Sequence, residues 1–528
     1  MRPPTYRIRT LGCRVNHAES REIETLLRER GLVAAERRAR ADLEVIHTCS
    51  VTQAAAAKSR QAIRRAARRS VRHGDQAPTI GDPSSQVHHQ IPGDGGNKPP
   101  VSPKILVTGC YAGTNPREAA RLVGEPSVIA HHDDSDSALL IERLAEQLDE
   151  WLNNHPRQSM LRGSTCESSP FHRRNDPPAR IHRLPVVPPR GRSRGRDRTS
   201  TNDAARHIRA ELRIQDGCDA HCTFCIIPKI RRTLRSKSLH DAAEEAKQLV
   251  ELGHREIVLT GIFIGAFGHE TALRRKQTHR HAHPLADLVD AVAQVDGLQR
   301  LRISSMEPGD CSEPLLDAML ANQPVVVPHL HLPLQSGSDR ILRRMNRQYT
   351  VADYLEMIER VNQSLTIDRL PPAITTDIIC GFPGETDADF AATQSVAERV
   401  GYLHMHVFPF SPRAGTAAAR WTDQFVDDRT RKARVRALID RELDPEDGLA
   451  IRYLRRLRGR TVRVILEQPV KGRPGWMSGR SDHYAKIQVP TDRPRGTLMY
   501  CTVTDVAPTA IIGRPVRDSL PLPVLTPA

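Results

Sequence analysis

Cysteine is scarce in this chain, with ten in 528 residues. That is too few, and too unevenly spread, for the disulfide framework of a small secreted protein, and a reducing compartment suits it better. Long apolar runs are also missing. The longest, IVLTGIFIGAF, falls well short of the roughly 20 residues a membrane-spanning helix needs, and the opening MRPPTYRIRT has no apolar signal region. The expectation is a soluble, cytoplasmic chain with no membrane partner. Acidic residues are in deficit: 62 Asp and Glu against 78 Lys and Arg leave a formal charge of +16. This excess is compatible with a polyanionic partner, although a basic surface is often only a solvated face.

So long a chain exceeds one ordinary hydrophobic core, and two or three domains are expected. Two stretches lack the pattern of folded structure. Residues 72–103, including IPGDGGNKPP, read as an inserted loop, and residues 154–205, including HRLPVVPPRGRSRGRDR, as a disordered basic linker.

The first patterned region, 4–153, repeats one theme of apolar run, cysteine and helical pattern. YRIRTLGC precedes NHAESREIETLLRERG, LEVIHTCS precedes AAAAKSRQAIRRAARRSVR, and KILVTGCY precedes NPREAARLVGE. Asn16 and Glu19 have capping-box spacing, Gly31 marks a helix end and Pro116 a helix start. Strand alternating with helix predicts a parallel sheet, whose carboxyl-end residues gather on one edge. Cys13, Cys49 and Cys110 all occupy that place and are expected to converge. The alternative for each is an ordinary buried thiol.

The second region, 206–442, has six strand candidates, LRIQ, EIVLTGI, LRISSM, HLHLPL, AITTDIIC and LHMHVFPF, with helical patterns between them. Six units predict a partial (β/α)6 barrel, with its chemistry at the carboxyl ends of the strands. The third region, 456–516, reads as a small antiparallel β-barrel, either a nucleic-acid module or a structural cap. The fold class is α/β.

Directly after the first barrel strand comes QDGCDAHCTFCIIP, with Cys218, Cys222 and Cys225 inside eight positions. A closed zinc site takes four ligands, usually as two spaced pairs, and a cubane cluster normally takes four cysteines. No second pair follows, and His221 is expected to shape the loop. Three cysteines on a cubane leave one iron with an open position, where a cofactor can bind.

This C-x3-C-x2-C loop resembles that of the radical S-adenosylmethionine (SAM) enzymes, in which SAM chelates the open iron and is split by one electron. TLGCRVNHAES, HTCSVT and TGCYA resemble the N-terminal motifs of the methylthiotransferases. HLPLQSGSDRILRRMNRQYT (331–350), TTDIICGFPGET (375–386) and HVFPFSPRAGTAAA (406–419) resemble their barrel segments, and the C-terminal barrel is similar to their TRAM domain. The resemblance implies SAM and two 4Fe-4S clusters, one on Cys218, Cys222 and Cys225 and an auxiliary one on Cys13, Cys49 and Cys110. It also implies an electron donor such as flavodoxin or ferredoxin. IRTLGC and LGCRVN bring it nearest to the enzymes that add a methylthio group to C2 of N6-threonylcarbamoyladenosine at position 37, in the anticodon stem-loop of tRNA. Enzymes of isopentenyladenosine or of a ribosomal protein are alternatives within the family, and a zinc-stabilised, non-catalytic RNA-binding protein is the alternative outside it. Where the family usually has an Arg-Gly pair, this chain has Arg231-Arg232, which leaves substrate contacts there open.

SAM needs polar groups around its amino, carboxylate and ribose portions. Candidates are Thr260 and Gly261 at the end of the second strand, Ser304, Ser305 and Glu307 after the third, Gln335 and Ser336 after the fourth, and Asp377 in the fifth. The alternative for each is a cap or loop hydrogen bond. RNA contacts are expected from Lys58, Arg60, Arg64, Arg65, Arg68 and Arg69 and from the C-terminal barrel, where Trp476 is either a stacking platform or core. Cys166, Cys311, Cys380 and Cys501 receive no role.

Overall fold

The computed structural model describes residues 3–36, 39–50, 52–71, 103–129, 137–154, 208–277 and 282–516. The insert expected at 72–103 and the linker expected at 154–205, with Cys166, lie outside them apart from residues 103 and 154. The described residues form two compact units, one up to residue 154 and one from residue 208 on. Among them no helix is long and apolar enough to cross a membrane.

The first unit is built on an all-parallel sheet of β1 (Thr5–Thr10), β2 (Val33–Ala34), β3 (Leu43–Thr48) and β4 (Lys104–Gly109), ordered β2-β1-β3-β4. Both faces are covered. Leu43 and Val45 pack with Ile23 and Leu27 of α1 (Arg14–Glu29). Ile46 and Val107 pack the other way, with Ile63 of α2 (Gln53–Val71) and Tyr111 of α3 (Cys110–Thr114). Burial on both sides leaves five of the six residues of β3 buried, the polar His47 and Thr48 among them. The helices α4 (Pro116–Val123), with Pro116 in its first turn, and α5 (Ser137–Asn154) complete the unit. One expectation fails here. The N-cap of α1 is Cys13, so Asn16 and Glu19 lie inside the helix and form no capping box.

The second unit begins with seven strands that build the lumen wall: β5 (Arg209–Asp216), β6 (Arg235–Ser236), β7 (Glu256–Gly261), β8 (Arg300–Ile303), β9 (His329–His331), β10 (Ala373–Cys380) and β11 (His404–Pro409). Two sheets, β6-β5-β7-β8 and β11-β10-β9, are linked by parallel bridges Leu301↔Val326 and Ser305↔His331. Six parallel strands thus form an open, curved wall, with β6 as an antiparallel edge. Leu212, Ile214, Leu259, Ile303, Leu330 and Ile378 point outward into the core beneath the helices. Because side chains alternate along a strand, the residues between them face the lumen, and these are mostly polar. The helices start where short polar side chains can cap them. Thr350 with Asp353, and Thr386 with Asp389, form the capping boxes of Val351–Leu365 and Asp387–Val400.

The last five strands, β12 (Thr461–Pro469), β13 (Trp476–Ser481), β14 (Lys486–Pro490), β15 (Leu498–Ala507) and β16 (Ala510–Pro515), close into a barrel ordered β12-β13-β14-β16-β15. It is antiparallel except where β14 meets β16 in parallel. A ring with an odd number of strands cannot alternate direction all the way round, which corrects the purely antiparallel expectation. This barrel closes the amino-terminal end of the lumen. Glu256 accepts hydrogen bonds from Arg209 at 2.6 Å, Arg302 at 2.9 Å and Arg300 at 3.1 Å. Arg300 also pairs with Asp482 at 2.7 Å, and Arg302 donates to the carbonyls of Ser481 and Asp482 at 2.8 and 2.9 Å. The Tyr484 ring stacks on His329, with 4.3 Å between centroids.

Candidate cluster and cofactor site

The three-cysteine loop leaves the carboxyl end of β5 and is pinned from several directions. Gln215 donates to the carbonyls of Asp216 and Gly217 at 2.9 and 2.7 Å and accepts from Phe263 N–H at 2.8 Å. Asp216 accepts from Arg213 at 3.0 Å and from Arg231 at 2.8 Å, while the Arg231 carbonyl accepts from Cys218 N–H at 2.9 Å. Arg231, left open as a substrate contact, is therefore a buried brace of this loop. Gly217 has φ +80, and a Cβ there would lie 1.9 Å from the Thr233 carbonyl oxygen, so the turn requires glycine. Further along, Asp219 accepts from Ala272 N–H at 2.7 Å, and the His221 carbonyl accepts from Asn346 at 2.9 Å while its ring is exposed.

Burial raises the pKa of all three thiols. Cys225 is pushed up to about 12, with the charge of Cys222 adding to the effect, and Cys218 and Cys222 shift the same way. Thiolates crowded into an apolar sheath of Ala220, Ala266, Ile262 and Phe263 need a strongly positive centre to hold them, which suits an iron-sulfur cluster. Arg347 supplies a cation at the edge, donating to Cys222 Sγ at 3.2 Å. It is held by Glu307, which also accepts from Arg274 at 3.3 Å, and Arg274 in turn pairs with Asp310 at 2.8 Å. Among the described residues, the group of three whose ligand atoms lie within 4.8 Å of one another is His331, Asp377 and His406, not either cysteine trio.

The other residues named from sequence fall in different settings. Thr260 and Ser304 are buried on the lumen face of β7 and just past β8. Gly261 is a glycine because Gln215 crowds it, its Cβ position lying 2.9 Å from the Gln215 carbonyl oxygen. Ser305 is exposed, and Glu307 is engaged with the two arginines. Gln335 has φ +63 and donates its N–H to the Asp377 carbonyl at 2.9 Å. Ser336 is fully buried and accepts from Ser338 N–H at 3.3 Å. Asp377 stands 3.3 Å from His331. Sequence reasoning missed Gln215, Arg274, Asn346 and Arg347. Arg347 and Asn346 did lie in the quoted segment RILRRMNRQYT, but no local signal marks their reach to Cys222 and His221.

In the first unit, Cys13 caps α1, Cys49 follows β3 and Cys110 follows β4. Parallel register aligns these ends, with Thr10 opposite His47 and Thr48 opposite Gly109. The loops touch. A Cβ on Gly12 would lie 3.0 Å from Cys49 Sγ, and one on Gly109 would lie 2.4 Å from the Thr48 carbonyl oxygen. Asn16 ties two of them together, donating to the carbonyls of Leu11 and Thr48 at 2.9 Å each, and its Oδ1 is 3.4 Å from Cys13 Sγ. Glu19 pairs with the buried His47 ring at 3.1 Å.

A partial parallel barrel whose first strand delivers three close cysteines into a polar lumen defines a radical SAM enzyme, and the family model described as Radical SAM superfamily matches residues 212–396. A second model, described as uncharacterized protein family UPF0004, matches residues 5–130. Threonylcarbamoyladenosine tRNA methylthiotransferase MtaB of Bacillus subtilis (strain 168) is 33% identical over 485 residues, 92% of this chain and 90% of that protein. MtaB of Thermotoga maritima is 30% identical, covering 91% and 90%. The tRNA-2-methylthio-N(6)-dimethylallyladenosine synthase of Bartonella bacilliformis is 31% identical, covering 96% and 95%. The chain belongs to the radical SAM methylthiotransferase family. Its cofactors are SAM and two 4Fe-4S clusters.

Proposed function

We propose that this protein adds a methylthio group to C2 of N6-threonylcarbamoyladenosine at position 37 of tRNA. The observation that carries the reaction class is the Cys218, Cys222 and Cys225 loop, braced at the mouth of a polar lumen whose other end is closed by the C-terminal barrel. The choice of base rests on the LGCRVN stretch and on two relatives named for threonylcarbamoyladenosine. Isopentenyladenosine is the second reading, favoured by the relative named for dimethylallyladenosine at similar identity.

In this reading Cys218, Cys222 and Cys225 hold the cluster that binds SAM, and Cys13, Cys49 and Cys110 hold the auxiliary one. SAM bound there would supply the radical chemistry that an aromatic C–H without an acidic proton demands. Arg347 stabilises negative charge at Cys222, and Gln215, Asp216 and Arg231 keep the loop in place. Thr260 and Ser304 offer hydroxyls to SAM from the lumen wall. The packed base of the lumen keeps bulk water from that side. Electrons come from a small protein donor such as flavodoxin or ferredoxin.

The anticodon stem-loop binds along α2, whose outer face exposes Lys58, Arg64, Arg65 and Arg68 while Ala62, Ile63 and Ala66 are buried. Arg60 and Arg69 are shared with Glu118 at 3.9 Å and Glu44 at 3.5 Å. On the C-terminal barrel Trp476 is half-buried beneath Arg473, 4.4 Å from its ring centroid, a platform suited to a base. Mass analysis of tRNA nucleosides from cells lacking the gene tests the proposal. Loss of the 2-methylthio form of N6-threonylcarbamoyladenosine is expected. Loss of the isopentenyl derivative instead transfers the assignment to the second reading, and unchanged nucleosides refute both.

A further inference from the structure

Three adjacent strands of the lumen wall bring His331, Asp377 and His406 together. Asp377 stands opposite His406 across the parallel β10–β11 pair, and His331 ends β9 opposite Thr375, two residues before Asp377 on the same face. Their ligand atoms all lie within 4.8 Å of one another. His331 Nδ1 is 3.0 Å from Thr375 Oγ1, a hydroxyl that also has the Leu330 carbonyl at 3.4 Å and His329 Nε2 at 3.3 Å as acceptors for its proton. With the proton on either of these, Thr375 accepts from Nδ1, and in that tautomer Nε2 presents a lone pair to Asp377 Oδ1 at 3.3 Å.

A lone pair and a carboxylate oxygen repel unless a proton or a metal cation lies between them. A proton would place an imidazolium beside the His406 ring, whose centroid is 5.7 Å away. A metal ion uses both imidazoles and the carboxylate together. Two ligand atoms each about 2.0–2.1 Å from a tetrahedral ion stand about 3.3 Å apart, the separation found between His331 and Asp377. His404 is excluded from the set, because its Nδ1 pairs with Glu442 at 2.6 Å. Thr375 fixes the ring of His331 in the way outer partners orient metal-bound imidazoles.

We propose that His331, Asp377 and His406 form a site for one borderline divalent cation, zinc by preference, on the lumen wall and built from none of the six cysteines. Two imidazoles and a carboxylate are the donor set of an open zinc site, which keeps a further position for water or a substrate atom.

The test uses the full-length protein with both clusters loaded, incubated with zinc chloride and desalted, with zinc and iron counted in the same samples by mass spectrometry. Wild type should retain roughly one zinc per chain. His406→Ala and Asp377→Asn should each weaken zinc binding about tenfold or more at unchanged iron. Circular dichroism verifies the fold of each variant, and His406→Gln, at an exposed strand position, replaces any that fails to fold. Wild type holding no zinc at full iron loading overturns the proposal. So does zinc that persists equally in the variants, or that only replaces missing iron at the cysteines. None of these outcomes depends on which nucleoside the enzyme modifies.

Discussion

Substituting Glu256 by glutamine probes the joint between the lumen and the C-terminal barrel. The carboxylate is 2% exposed and holds Arg300 and Arg302, which are 0% and 1% exposed. Arg209 is less committed, being 27% exposed and paired also with Glu467 at 3.2 Å. Glutamine keeps the shape but removes the only charge shared by all three arginines. Arg300 retains Asp482, and Arg302 retains two backbone carbonyls, so one buried charge loses its compensation rather than three. Breaking a buried pair in this way costs about 3–5 kcal/mol. At roughly 2–4 °C per kcal/mol for a unit of this size, melting should fall by about 6–20 °C. The assay is scanning calorimetry of the cluster-loaded full chain. Glu398→Gln serves as the control, since its partners Arg441 and Arg452 are 31% and 38% exposed, and it should cost no more than about 1 kcal/mol.

The same joint has a pH signature. Burial alone would raise the Glu256 carboxyl, but Arg302, Arg209 and Arg300 outweigh it and hold the group far below its ordinary 4.5. Burial also pushes nearby His483 down from 6.5 to about 4. Both folded values are depressed, so both contributions are complete above the unfolded values and are lost as pH falls. His483 acts first, between 6.5 and about 4, and Glu256 follows below 4.5. The glutamine variant should lack the second phase. Melting of that variant within 2 °C of wild type, with an unchanged acid limb, would refute the reasoning; about 2 °C is the least that even 1 kcal/mol should produce.

Asn16→Ala leaves the Leu11 and Thr48 carbonyls without their shared donor, a loss of about 1–3 kcal/mol, and should lower iron per chain while leaving SAM cleavage at the other cluster. Equal iron in variant and wild type would contradict a positioning role. Arg347→Gln removes the cation beside Cys222 and should make the potential of that cluster more negative, read by redox titration with electron paramagnetic resonance. Replacing Lys58, Arg64, Arg65 and Arg68 together by alanine should weaken tRNA binding and flatten its salt dependence by roughly three logarithmic units of slope. An unaltered slope would remove α2 from the interface.

The wall strands were legible because alternation is strong where one face meets helices and the other a lumen. Leu330, Leu332 and Leu334 against His329, His331 and Pro333 is the plainest case. The three-cysteine loop stood out by its spacing and by its place directly after the first wall strand. What could not be read were partnerships across long separations. Arg347 reaches Cys222 from 125 residues away and Asn16 reaches Thr48 from 32. Local rules instead drew Asn16 and Glu19 into a capping box, because that spacing is indifferent to whether a tertiary acceptor is nearby. The parallel β14–β16 contact escaped for a topological reason, since each strand pair was considered separately while ring closure constrains all five. His331 and His406 lay in quoted segments yet acquire meaning only when the register sets them beside Asp377.

The segment from Arg480 to Tyr484 belongs by chain order to the appended barrel, yet it forms the floor of the lumen. Exchanging tails between relatives would therefore be a transplant across a salt-bridged seam, and a chimera that ignores Arg300 and Arg302 would leak at its base however well the borrowed tail binds RNA.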